Sequence, residues 1–371
     1  MIDDATMAAR LDRLTNAIAA GGIDAAAIVP GANFYFLTGA NFHLMERPTV
    51  LFVTRDGARH AVIPLLEKAR WQALAPDVET EYWQDSEGFE AAFERVAKRL
   101  ACARLGVEGQ RMRVFEGEVL RRTFGNTLVV DAHADISTMR LCKDEAELAL
   151  MRRAVEISEA ALASTIAWAE IGMNETQVKA KLLAEMLDQG AEGIAFDPIV
   201  LAGAASADPH GVPNEERRLA AGGALLIDFG ASFAGYNADI TRTFFVGQPS
   251  DRHRDIYHAV LAANARGRAT CAPGLTLHQL DELVTAELAA SGFGDMIVHK
   301  TGHGLGLDVH EAPQVMIGNH QVLEPGMVIT IEPGLYSNGE IGIRIEDDVV
   351  VTDEGSVSLT SFERDITVIG G

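Results

Sequence analysis

Four carboxylates and one histidine in the second half of the chain lie in segments whose apolar patterns predict strands or strand ends. They are Asp228, Asp239, His303, Glu332 and Glu346. Acidic side chains within apolar strands must be paired, protonated or bound to metal. If the four carboxylates converge, they carry a charge of about −4 at neutral pH, which two divalent cations would offset. Oxygen and imidazole ligands suit Mn, Co or Zn. The pattern therefore predicts a two-metal hydrolytic site.

The same half of the chain contains an internal repeat. The segment 172–177 resembles the segment 274–279, and each predicts a loop Gly, an N-cap residue and a Gln at the third helical position, which together form a capping box. The equivalent pairs farther along are Glu185 with Glu287, Gly190 with Gly292, His210 with His310, Asp228 with Glu332, and Asp239 with Glu346. Because the matches fall on glycines, caps and carboxylates, they favour two related halves that each contribute two carboxylates.

Length and composition favour a globular protein of two domains. At 371 residues two domains are expected, and with 48% hydrophobic residues the chain can bury a large core. The net charge of −22 disfavours binding to nucleic acid and to anionic membranes. No run reaches the roughly 18 apolar residues that a membrane span requires.

Cysteine usage and the start of the chain predict a cytoplasmic protein. The three cysteines, Cys102, Cys142 and Cys271, are widely spaced without a zinc-site pattern, so reduced thiols are expected. The segment 1–4 is acidic and lacks the apolar core of a signal peptide. Apolar residues between positions 7 and 18 instead mark one face of a first helix.

The segment before residue 138 is typical of a separate α/β domain. Its predicted elements are strands at 25–29, 49–53, 61–64 and 128–131 and an amphipathic helix at 87–100. A second helix follows the boundary, with Asp144 as its N-cap and Glu147 at the third helical position. No catalytic constellation is found before the boundary. The polar loop 41–48, with His43, Glu46 and Arg47, either reaches a neighbouring active site or is an ordinary solvated loop.

Several motifs together resemble the pita-bread metallopeptidases. They are the segments 226–230, 236–243, 299–311, 331–334 and 342–346, and the segment 33–39 is similar to part of the creatinase-type N-terminal domain. The resemblance implies an α/β (α+β) fold. A small creatinase-like domain at 1–138 would precede a pita-bread catalytic domain at 142–371 with an internal pseudo-twofold repeat. The two-domain layout and the close spacing of Glu332 and Glu346 favour Xaa-Pro aminopeptidases and prolidases over methionine aminopeptidases.

The resemblance also implies a role for each candidate ligand. Asp228 would hold one metal ion, Asp239 and Glu346 would bridge two ions, and His303 and Glu332 would complete the second site. Two cations would activate a water molecule as the nucleophile. Glu332 would also act as the proton shuttle from that water to the leaving nitrogen.

Further residues are assigned to the substrate and to support of the ligands. By the resemblance, His310 would stabilise the developing oxyanion or hold the substrate carbonyl, and His210 and His299 would contact the proline side of the substrate. Strand alternation places Arg344 on the same face as Glu346, and Thr241 on the same face as Asp239, so both are expected to support carboxylates. Tyr336 matches a family tyrosine expected to hydrogen-bond Asp228.

The resemblance implies a dinuclear-metal hydrolase, either an Xaa-Pro dipeptidase or an aminopeptidase P, with Mn favoured over Co or Zn. Short proline-containing peptides are the expected substrates, and a homodimer is the expected assembly. Two other classes of function stay open. One is a non-peptidase enzyme on the same scaffold, such as a metal-dependent lyase or a creatinase-like amidinohydrolase, and the other is a non-catalytic peptide- or histone-binding module. The complete set of five ligands disfavours the binding module and the creatinase-like enzyme.

Overall fold

The computed structural model of the protein describes residues 4–370. Residues 1–3 and 371, which include most of the acidic start of the chain and the end of the second predicted domain, lie outside this range. The chain divides into two compact units, Met1–Arg140 and Leu141–Gly371. The domain limits predicted from the sequence, 1–138 and 142–371, stay a prediction. None of the helices in residues 4–370 combines the length and the apolar character needed to cross a membrane.

The first unit is built on a six-stranded mixed sheet. Its strands are β1 (Ala25–Ile28), β2 (Val50–Thr54), β3 (Arg59–Pro64), β4 (Glu79–Trp83), β5 (Arg104–Val107) and β6 (Leu128–Asp131). Their order in the sheet is β4-β3-β2-β1-β5-β6. Strand β2 pairs antiparallel with both of its neighbours, β1 and β3. Its helices are α1 (Asp4–Ala20), α2 (Ala32–Thr38), α3 (Lys68–Leu74), α4 (Glu90–Leu100), α5 (Val114–Thr123) and α6 (His133–Ser137).

Two strands, four helices and one helix boundary of the first unit differ from the prediction. The helices that were not predicted are α2, α3, α5 and α6. Strands β4 and β5 were not predicted, because β4 carries Glu79 and Glu81 and β5 has only four residues including Arg104. Helix α4 begins at Glu90 rather than at the predicted residue 87, since Gly88 has a φ of 75°, outside the helical range. The four strand segments that were predicted correspond to β1, β2, β3 and β6.

The second unit contains four long helices and several small sheets. The helices are α7 (Glu145–Trp168), α8 (Glu175–Asp188), α9 (Asp251–Thr270) and α10 (Leu277–Leu288). The strands are β7 (Gly193–Ile194), β8 (Ile199–Ala202), β9 (Ala224–Phe229), β10 (Ala231–Phe233), β11 (Tyr236–Asn237), β12 (Ile240–Val246), β13 (Gly302–Gly304), β14 (Glu311–Val315), β15 (Val328–Ile331), β16 (Gly334–Ser337), β17 (Ile341–Arg344), β18 (Asp347–Thr352), β19 (Gly355–Ser358) and β20 (Val368–Ile369).

Two of these sheets carry the candidate site. One has the order β20-β12-β9-β8 and the other the order β14-β13-β15-β18-β19. Strands β9 and β12 are buried along their whole length, and so is β15. One apolar core packs α7 and α8 against β8, β9 and β12, and a second packs α9 and α10 against β15, β17 and β18. Each sheet is therefore held by its own pair of helices.

The predicted internal repeat is present in the hydrogen bonding. Asn174 with Gln177, and Thr276 with Gln279, form capping boxes at the starts of α8 and α10. The loop glycine before each helix donates to an equivalent carbonyl, with N–O distances of 2.9 Å from Gly172 to Leu219 and 3.1 Å from Gly274 to Leu323. In both halves of the repeat, the same contacts therefore attach the start of the helix to the segment that follows the helix.

Candidate metal centre

Strand pairing brings the five predicted ligands together from both halves. Asp228 lies in β9 and His303 in β13, whereas Asp239 directly precedes β12 and Glu332 directly follows β15. Asp228 is the register partner of Thr241 in the antiparallel β9–β12 pair. Gly302 permits β13 to approach β15, since a Cβ atom at this position would lie only 2.0 Å from the Thr330 carbonyl oxygen.

Glu346 is not at the end of a strand as predicted. Strand β17 ends at Arg344 and β18 begins at Asp347, so Glu346 lies in the short connection between them. Its backbone N–H donates to the Thr241 carbonyl oxygen at 3.1 Å. This bond links Glu346 to Thr241 in β12 and does not extend the β16–β17 hairpin. The Glu346 carboxylate therefore lies beside the carboxylates of the first half of the repeat.

The ligand atoms form three overlapping groups, in each of which one ligand atom per residue lies within 4.8 Å of the others. The groups are Asp228, Asp239 and Glu346; His303, Glu332 and Glu346; and Asp239, His303 and His310. The His303 Nε2 atom lies 3.4 Å from Glu332 Oε1 and 3.7 Å from Asp239 Oδ2. Glu346 belongs to the first two groups, so the geometry could hold two ions with a shared ligand.

The electrostatics of the cluster fit divalent cations. Burial and the nearby Glu346 charge raise the pKa of Asp239 well above its usual range, and burial raises the pKa of Glu332 to about 7. Burial lowers the pKa of His303 to about 3, which leaves a neutral imidazole able to donate its lone pair. The Asp228 Oδ1 atom is buried without a hydrogen-bond partner. Buried carboxylates that outnumber the nearby cationic side chains, one of them with an unpartnered oxygen, are expected of a cation site.

Arg344 and Thr241, which were expected to support carboxylates, both hydrogen-bond residues of the ligand cluster. The guanidinium of Arg344 donates to Asp228 Oδ2 and, at 3.0 Å, to the Thr241 hydroxyl. The Thr241 hydroxyl in turn donates to Glu346 Oε2 at 2.5 Å. One buried chain of donors therefore orients a carboxylate from each half of the repeat.

Tyr336 does not hydrogen-bond Asp228 directly, contrary to the prediction. Its hydroxyl accepts from Arg344 Nη1 at 2.7 Å and lies 2.9 Å from His299 Nε2. The Lys300 carbonyl oxygen can only accept, so Nδ1 of His299 carries the hydrogen and donates to it at 2.8 Å. Burial lowers the pKa of His299 to about 4, so the ring is neutral and its Nε2 accepts the hydroxyl hydrogen of Tyr336. Both ring nitrogens of His299 are therefore engaged within the protein, and Tyr336 supports Asp228 only through Arg344.

The ligands lie in a cleft of about 1020 Å³. Its walls are partly apolar, with Phe196, Ile199, Pro209, Val298 and Val309 among the lining residues. The three predicted substrate-side histidines, His210, His299 and His310, also line it. The ring centroid of His310 lies 3.8 Å from that of His303, and burial lowers the pKa of His310. A neutral His310 beside the ligands could donate or accept a hydrogen bond at the reacting group.

Sequence reasoning missed two neighbouring acidic residues that hold the ligand backbone. Asp348 Oδ2 accepts from the Asp239 backbone N–H at 3.1 Å. Asp347 accepts from Arg242 at 2.8 Å, and Arg242 also donates to the Glu346 carbonyl oxygen at 2.5 Å. The run Glu346-Asp347-Asp348 within an apolar stretch is a signal that could have indicated these contacts.

Two family models together match most of the chain. Residues 149–353 match the model of metallopeptidase family M24, and residues 10–142 match that of the creatinase/prolidase N-terminal domain. The chain is 32% identical over 364 residues to the uncharacterized peptidase YqhT of Bacillus subtilis, covering 97% of this chain and 100% of that protein.

Two solved structures share the whole fold. An Xaa-Pro dipeptidase from Bacillus anthracis has a TM-score of 0.91 and 30% identity, covering 98% of this chain and 100% of that chain. An X-Pro aminopeptidase from Thermotoga maritima has a TM-score of 0.84 and 30% identity, covering 97% of this chain and 99% of that chain.

The fold and the cluster of carboxylates define a metal-dependent peptidase. The chain belongs to metallopeptidase family M24 and carries a creatinase/prolidase N-terminal domain. The predictions of a pita-bread metallopeptidase, of its fold class and of an enzyme are confirmed. Membership of the family implies divalent metal ions, for which the acidic and histidine groups described above could be ligands.

Proposed function

We propose that the protein is a dinuclear-metal hydrolase that cleaves the Xaa-Pro bond of short peptides. The observation that carries the proposal is the pair of ligand groups that share Glu346 within one partly apolar cleft. The names of the two solved structures, an Xaa-Pro dipeptidase and an X-Pro aminopeptidase, support the substrate class.

In this proposal each half of the repeat supplies one metal site. Asp228 would hold one ion, His303 and Glu332 would hold the other, and Asp239 and Glu346 would bridge both. Carboxylate and imidazole ligands make Mn the first choice, with Co or Zn as alternatives. When bound, the ions would act as Lewis acids and lower the pKa of a water molecule.

The residues of the chain would then move the proton and position the substrate. Glu332, which lies within the ligand cluster, would accept the proton of the attacking water and pass it to the leaving nitrogen. The Thr330 hydroxyl donates to Glu332 Oε1 at 3.2 Å and would fix its orientation. His310 would hold the substrate carbonyl, and His210 would contact the proline side. His299, with both nitrogens engaged, would contact proline through its ring edge.

The chemistry of the Xaa-Pro bond suits this arrangement. A proline nitrogen in a peptide bond has no N–H, so the site needs no acceptor there and can present apolar walls instead. The leaving nitrogen must gain a proton, which Glu332 would supply.

Substrate preference is tested with three peptides at equal concentration. We expect Ala-Pro to be cleaved faster than Ala-Pro-Ala, and both to be cleaved faster than Ala-Ala, in assays supplied with Mn, Co or Zn. The physical reason is the fit of the proline ring to the apolar wall and of a short peptide to the cleft. Faster cleavage of Ala-Ala would refute proline specificity, whereas faster cleavage of the tripeptide would change the assignment to aminopeptidase P.

We also propose a homodimer in which the loop 41–48 of one protomer borders the cleft of the other. His43 is exposed, whereas Arg47 pairs with Glu46 at 2.6 Å and with Asp85 at 2.8 Å. The loop is thus anchored through Arg47 and leaves His43 available. Light scattering at assay concentration is expected to give the mass of two chains. A fully active monomer would exclude this assembly.

A further inference from the structure

A buried carboxylate of α10 holds the open end of the β13–β14 hairpin. Asp281 is only 4% exposed, and its two oxygens accept from the backbone N–H groups of Thr301 and Ile317, both at 2.8 Å. Thr301 directly precedes β13, and Ile317 lies just after the end of β14. The carboxylate therefore ties together the two ends of the segment that carries His303 and His310.

The Asp281 carboxylate and this segment depend on each other. Within residues 4–370, no basic side chain forms an ion pair with Asp281. A buried carboxylate without a cationic partner is costly unless hydrogen-bond donors satisfy its oxygens. The two backbone N–H groups supply those donors, so neither end of the segment can move without leaving a buried oxygen unsatisfied.

Thr301 connects Asp281 to two of the candidate metal ligands. The Thr301 carbonyl oxygen accepts from the Glu332 backbone N–H at 2.8 Å, and Thr301 lies two residues before His303. The His303 backbone N–H donates to the Thr330 hydroxyl at 3.1 Å. Because Thr301 is buried and bonded through both its N–H and its carbonyl, its position sets the spacing between the backbones of the two ligands.

The imidazole of His303 is oriented by the backbone and not by an acidic partner. Its Nδ1 atom lies 3.1 Å from the Gly304 carbonyl oxygen, which can only accept, so Nδ1 carries the hydrogen. The lone pair is then on Nε2, which faces Glu332 and Asp239. Since the outer bond of the ring goes to the adjacent residue, a shift of the backbone at Thr301 would move the ligand nitrogen.

The first half of the repeat contains a carboxylate that is bonded in a similar way. Glu175, the first residue of α8, is fully buried, and its oxygens accept from the backbone N–H groups of Ala202 at 2.7 Å and Asn214 at 2.8 Å. These two residues flank the segment that carries His210. Glu175 also pairs with Arg217 at 2.7 Å. In each half, a helix carboxylate therefore holds both ends of a segment that carries a cleft histidine.

We propose that Asp281 is a positioning residue for the metal site formed by His303 and Glu332. The inference rests on the two-metal centre of the proposed function and adds to it a residue outside the ligand set. Through Thr301, Asp281 fixes the spacing of the two ligands, and through Ile317 it closes the hairpin that carries the histidines. Loss of one acceptor oxygen frees one end of the hairpin and lowers the affinity for metal.

The test is the Mn affinity of Asp281→Asn, measured by calorimetry on chelator-treated protein. Asparagine keeps one acceptor oxygen but turns its NH₂ group toward the second backbone N–H, so one of the two anchors is lost. Mn affinity is expected to fall by roughly 10-fold, as after loss of an outer partner of a metal ligand. Asp281→Glu keeps both acceptor oxygens on a longer side chain and is expected to lie between Asp281→Asn and wild type. It also serves as the test if Asp281→Asn does not fold.

Asp24→Asn provides a matched control for a general loss of stability. Asp24 lies in the first unit, and its Oδ2 atom accepts from the backbone N–H groups of Ala103 at 3.0 Å and Arg104 at 2.9 Å. Asp24 is not among the residues that line the cleft of the metal centre. This substitution is expected to lower Tm at most and to leave Mn affinity unchanged. An Asp281→Asn protein that melts earlier but binds Mn as wild type does would show that Asp281 is only structural, which overturns the inference.

Turnover of Ala-Pro separates this inference from the proposed function. With Mn saturating, Asp281→Asn is expected to lower kcat more than it changes KM, because Glu332 is displaced from the reacting groups. If wild type binds Mn but cleaves no peptide, the proposed function fails, and the Mn affinities still decide the role of Asp281. Folded variants of Asp281 with wild-type Mn affinity overturn the inference at any level of turnover.

Discussion

Glu332→Gln is expected to lower kcat by about 10²–10⁴-fold while at least one metal ion stays bound. Glutamine keeps a carbonyl oxygen that can serve as a ligand, but its amide cannot accept the proton of the attacking water. Glu332 is suited to this transfer because it lies within the ligand cluster, with its Oε1 atom 3.4 Å from His303 Nε2. Its repeat equivalent Asp228 is bonded to Arg344 and is assigned only a ligand role.

Turnover of Ala-Pro and metal content by elemental analysis are measured on the same preparation of the variant. Glu282→Gln, on the exposed surface of α10, provides a matched control that should match wild type in both measurements. A Glu332→Gln protein with two ions and wild-type turnover would show that another group transfers the proton.

Asp239→Asn is expected to weaken binding of both metal ions together. Asp239 belongs to the group with Asp228 and Glu346 and lies 3.7 Å from His303 Nε2, so its carboxylate borders both candidate sites. We expect affinity to fall by at least the roughly 10–100-fold that follows the loss of an outer hydrogen-bond partner of a ligand. Asp239 contacts the ions directly in this proposal, so the loss should exceed that range.

The same substitution should not lower the stability of the metal-free protein, although it weakens metal binding. Burial and the charges of neighbouring carboxylates raise the pKa of Asp239, which means that its charged form is disfavoured without metal. Asparagine removes that charge, so the Tm of chelator-treated protein is expected to be equal to or above that of wild type. The rise in Tm on adding Mn should shrink, because stabilisation by a ligand depends on its affinity.

Calorimetric melting with chelator and with added Mn checks both effects. Asp295→Asn, an exposed change of the same type, should leave both melting temperatures close to wild type. Full activity of wild type after chelation to zero bound metal, or wild-type metal binding by Asp239→Asn, would contradict the two-metal proposal.

Features that depend on local chemistry could be predicted from the sequence. The capping boxes at Asn174 and Thr276 involve residues three positions apart, so their side chains indicate the helix start without knowledge of the rest of the fold. The candidate ligands could be identified for a different local reason. A carboxylate such as Asp228 in a continuous apolar strand has few partners other than a cation or a buried base.

Features that depend on contacts between distant segments could not be predicted in detail. The position of Glu346 between two strands follows from its backbone bond to Thr241 in the other half of the repeat. The Tyr336 hydroxyl is bonded to Arg344 and His299 instead of Asp228 because the β16–β17 pairing and the loop before β13 determine what it meets. A sequence pattern does not indicate which residues of distant segments become hydrogen-bond partners.

The sequence by itself therefore determined the family of folds, the repeat and the types of residues in the centre. The family follows from the resemblance of the ligand motifs, whereas the repeat and the residue types follow from capping and the cost of isolated buried charge, which are properties of short segments. Only the tertiary structure decided which side chains become partners. Lys300 lies three residues before His303, yet its ammonium donates to the side-chain amide of Gln314 in a separate strand. That outcome depends on how β13 and β14 pair, because side chains from separate strands become neighbours only when the register of the sheet is set.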